Sequence, residues 1–492
     1  MRKIFYILFV GMGLVSLSGC NKFLDHQPDD RTDLDNPVKI KELVASAYPQ
    51  VFYAAFAESL SDNAGDKGTT ERVDQNSFPW KFEDQVKSDY DMPNTYWNAC
   101  YKAISSANHA LDAIEKLGTP AATRASKGEA LVARAYAHFM LVNFFAKPYN
   151  EATSGTDMGI PYQMKPEKTA VGEYERGTVK SVYEQIEKDL VEGISLIDNS
   201  NYAAPSYHFT KNAAYAFATR LYLFKKDYAK VISYADLVAK TGTIANILRP
   251  WNSEYINYSY YVLQNAYGSA ATPANLLLVE ANSTYGKDYP GYNYGLNSSL
   301  LAEVYGSGSN PLGRELAFRS KVFGGTETVY NIPKFKTNDI KESISDNFGE
   351  PYVVYTLFAI EEVLFNRAEA YANLGRNDEA INELNTFLSK RLANYSANNA
   401  AHNLTLTKIK NFYPDKGEKE AIVEAVLNFK RQEFLFEGLR WLDIIRLGRT
   451  VIHRSVGGSS DNINLTIDAN DKRRVLQLPV EAVQFGLEAN PR

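Results

Sequence analysis

The sequence predicts a mainly α-helical protein, built from tetratricopeptide-like helix pairs with a loop-rich, aromatic-rich irregular lobe between them. Three observations carry that prediction. Apolar residues recur at spacings of three and four along several segments, a helix-hairpin unit returns in register, and one long central stretch loses helical period while tyrosines crowd into it. With 492 residues, 45% hydrophobic and 23% charged, the chain has enough apolar surface for a substantial core.

The N-terminus comes first. Arg2 and Lys3 precede an apolar stretch, Ile4 to Val15, and Leu17-Ser18-Gly19-Cys20 closes it with small residues before a cysteine. A positive start, an apolar middle and a small-residue end make a secretion signal, and the run falls short of the about 20 apolar residues that span a bilayer. Residues 1–19 are therefore read as signal peptide and Cys20 as the lipidated first residue of the mature chain. Residues 20–37, polar and carrying Pro28 and Pro37, are read as a tether. The body takes residues 38–492. It has no second stretch long enough to cross a membrane, and with Cys20 acylated the remaining Cys100 has no partner, so the body is not held by disulfides. Cys100 lies in a helical pattern and reads as a small core residue. A net charge of −5 and the lack of any Lys/Arg-rich block exclude a nucleic-acid partner.

Helices follow. Trp97, Cys100, Tyr101, Ile104, Ala107, Leu111 and Ile114 share one face, and Gly118 with Pro120 ends that run. Ala130, Ala133, Ala137, Met140 and Phe144 repeat the spacing, and Val182, Ile186, Leu190 and Ile194 do so again after a Gly/Pro/Tyr-rich insertion. Thr210 then caps a helix carrying Ala214, Phe217, Leu221 and Phe224, and after a turn at Lys225 to Asp227 a partner helix carries Tyr228, Val231, Ala235 and Val238. The unit returns as Leu364, Ala368, Tyr371 and Leu374, then Gly375, then Ala380, Ile381, Leu384 and Leu388. Tyr222 precedes Val231 by the same interval as Tyr371 precedes Ala380, the spacing of a tetratricopeptide pair. Helical units are thus placed at about 95–240 and 356–450, with the loop-rich lobe at about 241–355 as the ligand-binding part. Its many aromatics argue for order.

Several segments together resemble the SusD/RagB family of nutrient-binding outer-membrane lipoproteins of Bacteroidetes. Cys20 followed by Asn21-Lys22-Phe23-Leu24-Asp25 looks like that family's mature N-terminus. Trp97 to Ile104 with Ala107-Asn108, and Gly128-Glu129-Ala130 to Arg134-Ala135-Tyr136, resemble its early helices. Arg431-Gln432-Glu433-Phe434, Glu437-Gly438, Arg440-Trp441, Asp443 and Arg446 are similar to its C-terminal signature, and Leu478-Pro479 with Asn490-Pro491 to its ending. Gln432 and Leu439 stand where the family often has arginine and histidine. The resemblance implies a fold around four tetratricopeptide-like units. It also implies a place on the outer-membrane surface, beside a SusC-like TonB-dependent transporter to which captured oligosaccharide, or peptide in some members, is delivered. No catalysis and no cofactor are implied. The tether would let the body swing as a lid over the transporter. The other readings are a periplasmic tetratricopeptide scaffold lipoprotein and a surface glycoside hydrolase.

The site itself is read from residue chemistry. Flat aromatic faces offer a sugar's C–H surface an apolar partner and add a hydrogen bond through OH or NH. Trp251, Tyr255, Tyr258, Tyr285, Tyr289, Tyr292 and Tyr294, outside helical period in a Gly/Pro-rich context, are the first candidates. Asn76 and Trp80 with Arg72, read as a loop, are the second group. The dense charges from Glu433 to Arg446 read as a structural clamp, since Glu433, Glu437 and Arg440 have ordinary helical ion-pair spacing, as do Asp443 and Arg446. Six scattered histidines lack metal-ligand spacing, and Asp461-Asn462 with Asp468 to Asp471 reads as a polar turn, so no metal is expected.

Overall fold

The computed structural model describes residues 34–69, 74–85, 88–167, 174–341, 349–456 and 463–492. The signal peptide, Cys20, Arg72 and the Asp461-Asn462 pair lie outside the described residues. Helix α1 (Pro37–Val44) opens on Asn36, whose side chain accepts from the backbone N–H groups of Val38 and Lys39 at 3.0 and 3.1 Å, with Pro37 at the first helical position. Short elements α2 (Ala54–Leu60), β1 (Gly65–Asp66) and α3 (Asp74–Lys81) lead to the first long helix, α4 (Pro93–Lys116). As its sequence requires, α4 stops where Gly118 takes a φ of +75°. Cys100 on α4 is fully buried and unpaired, and burial pushes its thiol up, which fits a core role.

Helix α5 (Arg124–Phe145) is buried nearly all round, and α6 (Val179–Leu196), opened by a capping box of Thr178 and Ser181, packs along it. Their crossing is backbone to backbone. A Cβ on Gly128 would stand 2.7 Å from the Ile197 nitrogen, and one on Gly193 would stand 2.7 Å from the Gly128 carbonyl oxygen. Glycine at both positions lets the two helices touch.

The repeat units fold as the spacing predicts. Thr210 accepts from Ala213 N and caps α7 (Lys211–Phe224), and α8 (Tyr228–Val238) returns against it. The central stretch then runs α9 (Tyr260–Tyr267), β2 (Asn275–Asn282), α10 (Tyr285–Asp288), β3 (Tyr294–Gly295), α11 (Ser298–Tyr305), β4 (Thr337–Ile340) and β5 (Glu350–Ala359). The second hairpin, α12 (Ile360–Asn373) and α13 (Asn377–Leu388), turns at Gly375, and α8 lies against α12, so two hairpins far apart in the chain stack as neighbours. Helices α14 (Leu406–Phe412), α15 (Glu418–Glu433) and α16 (Leu439–Leu447) follow, with α15 closing onto α12 and α13. Strands β6 (Val451–Arg454) and β7 (Asn464–Ile467) form a hairpin before the short α17 (Val480–Gln484). From Asn36 onward the chain is one unit, and the fold is mainly α.

The central stretch is more regular than its lost helical period suggests. It contains an antiparallel three-stranded sheet in the order β2-β5-β4. On β5, Val353, Tyr355 and Leu357 are buried while Tyr352, Val354 and Thr356 are half-buried. Both faces carry apolar or β-branched residues, so the strand's alternation is hidden in the sequence. This sheet is tied to the helices by aromatic contacts. Tyr355 stacks on Phe52 at 4.0 Å between centroids, and Phe358 meets Tyr136 edge-on at 5.6 Å.

Candidate functional site

The charged C-terminal segment is internal. Glu433 ends α15 and pairs with Arg391 at 2.7 Å. Arg391 also reaches Glu361 at 3.0 Å, and Glu361 binds Arg249 at 2.7 Å, all four side chains being wholly inaccessible. Burial works to raise Glu433, but the Arg391 guanidinium outweighs it and holds the carboxyl below the usual range. Glu437 takes Lys334 at 2.6 Å and the Tyr267 hydroxyl at 2.6 Å, and Arg440 takes Asp62 at 2.8 Å. Of the local pairs expected from spacing, Asp443 with Arg446 forms, at 2.7 Å. Glu433, Glu437 and Arg440 do not share a helix, because Phe436 (φ +75°) and Gly438 (φ +74°) break the chain between α15 and α16. Gly438 has no room for a side chain either, since a Cβ there would lie 2.9 Å from the Ala54 Cα. The clamp is real, but its partners are distant in sequence.

Most of the aromatic candidates are also internal, which corrects their expected role as exposed stacking faces. Trp251 is wholly buried, edge-on to Phe318 at 4.8 Å and to Tyr255 at 5.3 Å, and Tyr255 is buried with it. Tyr285 stacks on Tyr289 at 5.1 Å, and their hydroxyls donate to the carbonyls of Phe436 and Ile332 at 3.0 and 2.7 Å. Tyr292 is buried beside them. Asn76 and Trp80 lie on helix α3, where a loop was expected. They meet Tyr294: Trp80 stacks on its ring at 3.8 Å, and Asn76 exchanges two hydrogen bonds with its backbone at 2.8 and 2.9 Å. The two candidate groups are thus brought together inside the protein, where both ring faces are spent on packing. Tyr258 alone among the described candidates keeps a half-exposed ring.

Tyr258 leads to the aromatic surface that does face water. Tyr261 on α9 is 73% exposed. Its neighbour Tyr260 lies edge-on to it at 5.3 Å and edge-on to Phe323 at 5.3 Å. Lys321 joins the group, with its ammonium 5.8 Å from the Phe323 ring centroid and donating to the Tyr258 carbonyl at 2.8 Å. The arrangement follows from local structure. Leu263 and Tyr267 point inward from α9, which leaves Tyr261 and Val262 on the outer side. Phe323 is held by a two-way backbone bridge to Asn331 (2.8 and 3.0 Å) at the base of a loop containing Gly324 and Gly325. The result is a shallow platform with rings at several inclinations, one cation and no buried carboxylate pair. Such a surface offers apolar ring faces for stacking. Among the described residues no group of three or more His, Cys, Asp or Glu could hold a metal. Asp468 and Asp471 instead close turns on the backbone of Asn470 and Arg473 at 2.8 and 2.9 Å.

Comparison with known proteins places the chain. Residues 22–223 match the family described as starch-binding associating with outer membrane, SusD-like, and residues 283–482 match the SusD/RagB family. The chain belongs to the SusD/RagB family, whose members are binding proteins associated with the cell surface in Bacteroidetes. Solved structures agree on the fold. A SusD superfamily protein from Bacteroides thetaiotaomicron superposes with a TM-score of 0.65 at 21% identity, covering 94% of this chain and 100% of that one. A SusD-like carbohydrate binding protein from Bacteroides vulgatus gives 0.65 at 17% identity, over 92% and 96%. A laminarin binding SusD-like protein gives 0.59 at 17% identity, over 92% and 98%. No curated protein sequence matches the chain.

Proposed function

We propose that this protein captures oligosaccharides at the cell surface and delivers them to a SusC-like TonB-dependent transporter of the outer membrane, anchored beside it by a lipid on Cys20. The observation that carries the binding step is the platform of Tyr258, Tyr260, Tyr261 and Phe323. Tyr261 is exposed and Tyr258, Tyr260 and Phe323 are half-exposed beside it, whereas Trp80, Trp251, Tyr255, Tyr285, Tyr289, Tyr292 and Tyr294 are buried. Inclined rings suit the curved apolar face of a glycan chain, and exposure of this kind has a cost that packing alone does not explain. A relative described as laminarin binding supports a glucan among the ligands to try first. Transporter partnership, lipid anchoring and the lid motion of a tethered body rest on family membership and on the N-terminal sequence pattern.

The test is titration of the lipid-free body against a panel of oligosaccharides that includes laminarin fragments, with peptides alongside. The double variant Tyr260→Ala/Tyr261→Ala is expected to lose affinity at least about tenfold, about 1.4 kcal/mol, with an unchanged melting temperature. Equal binding by that variant and the wild type would move the site off the platform, and binding of peptides in place of sugars would reassign the ligand class.

A further inference from the structure

A second concave surface shares no lining residue with the platform. The turn after α1, the three-residue 3-10 segment Pro205–Tyr207 and strand β2 line an open cavity of about 220 Å³. Tyr48, Gln50, Tyr207, His208, Leu278 and Glu280 line it; Gln50 and Glu280 are exposed, Tyr207 and His208 half-exposed, and Tyr48 and Leu278 form its buried floor. No lysine or arginine lines it. Glu280 is exposed on β2 and has no ion pair among the described residues. Its charge reaches Tyr207, whose phenol is raised first by burial and then by Glu280.

A further carboxylate stands behind this wall. Glu129, 1% exposed, accepts from the Tyr48 hydroxyl at 2.6 Å and meets His208 Nδ1 at 2.7 Å through the same oxygen. The Tyr202 phenol lies against the same carboxylate and is raised first by burial and then by the Glu129 charge. The Tyr202 ring stacks on His208 at 4.6 Å and the Tyr48 ring stacks on Phe209 at 5.5 Å, so the ring walls are braced from outside the cavity. The cavity therefore combines aromatic rings, hydrogen-bond acceptors and one exposed carboxylate, Glu280, with no lysine or arginine among its lining residues.

We propose that this cavity is a second binding site, specific for a compact ligand group that carries a protonated primary amine. An ammonium has three donors and no acceptor, it is attracted to aromatic faces, and Glu280 supplies the opposite charge at the mouth. A neutral sugar of the same size gains nothing from that charge. The same chemistry comes from two sources, an amino sugar or a lysine side chain of a peptide.

Calorimetric titration of the lipid-free body at neutral pH, where His208 of the wall is largely uncharged and the amines are protonated, tests this with four probes: glucosamine, glucose, N-acetylglucosamine and Nα-acetyl-lysine methylamide. Saturable binding of at least one amine is expected, with glucose and N-acetylglucosamine at least about tenfold weaker. Saturation by glucosamine alone identifies the amino sugar, and by the lysine probe alone the peptide. Glu280→Gln should weaken amine binding by about tenfold, and added salt should weaken it in the wild type, because the pair is exposed to screening. Tyr261→Ala should leave it unchanged, which separates this site from the platform. The proposal is overturned if neither amine saturates, if glucose binds as well as glucosamine, or if a folded Glu280→Gln protein binds the amine as the wild type does.

Discussion

Removing Arg391 should be one of the most damaging single changes in the protein, and a second change should partly repair it. Arg391 sits between Glu433 and Glu361, at 2.7 and 3.0 Å, and donates to the Arg249 carbonyl at 3.0 Å, with no exposure at any of these charged groups. In Arg391→Met the Glu433 carboxylate keeps its desolvation and loses its main counter-charge, a change worth about 3–5 kcal/mol. Glu361 suffers less, because Arg249 still holds it at 2.7 Å. The double variant Arg391→Met/Glu433→Leu removes the stranded anion and should be at least about 1 kcal/mol more stable than the single one. The deficit should also depend on pH. Without the guanidinium only the Arg249 and Lys334 charges oppose burial, so the Glu433 carboxyl rises from its wild-type position and the deficit shrinks as pH falls through the carboxylate range. Urea unfolding followed by tryptophan fluorescence suits the measurement, since Trp80, Trp251 and Trp441 are wholly buried. A cost below about 1 kcal/mol for the single variant, or a double variant as unstable as the sum of its parts, would refute the reasoning.

Two further outcomes follow from burial and charge. Trp251→Ala should destabilise by about 3–5 kcal/mol, as large core truncations do, while the folded fraction binds oligosaccharide with unchanged affinity; reduced affinity in fully folded protein would return Trp251 to the site. Acid should loosen the C-terminal clamp at a definable point. Burial works to raise Asp443, but Lys430 and Arg446 outweigh it and hold the carboxyl down to about 2, so its contribution, about 2 kcal/mol, is present above the unfolded value near 3.8 and is lost as pH falls through about 2. Asp443→Asn should flatten that limb of the stability profile; an unaltered limb would show that other carboxylates govern it.

Much of the scaffold was legible because its signals are local. Thr210, Gly118 and Gly375 act within one turn of the helix ends they define, and the hairpin spacing around Tyr222 and Tyr371 needs only neighbouring turns. The sheet was not legible, because β5 has apolar residues on both faces and no contrast to reveal its period. Spacing also misassigned the partners of Glu433, Glu437 and Arg440, since two left-handed residues, Phe436 and Gly438, end the helix that the spacing presupposes. A sequence signal for the platform did exist. Leu263 and Tyr267 lie one helical turn apart, which sets Tyr261 on the opposite side of an eight-residue helix.

The sequence by itself determined the helical hairpins and their caps. Each of these depends on residues within a few positions of one another, where backbone geometry alone dictates who meets whom. Tertiary structure decided which aromatics meet water. Tyr289 and Tyr261 occupy similar Tyr-rich contexts, yet Tyr289 is covered by Phe335 and Phe436 from distant segments while Tyr261, edge-on to its neighbour Tyr260, stays 73% exposed. Exposure is set by what the rest of the chain brings alongside, and that becomes defined only when the whole core closes.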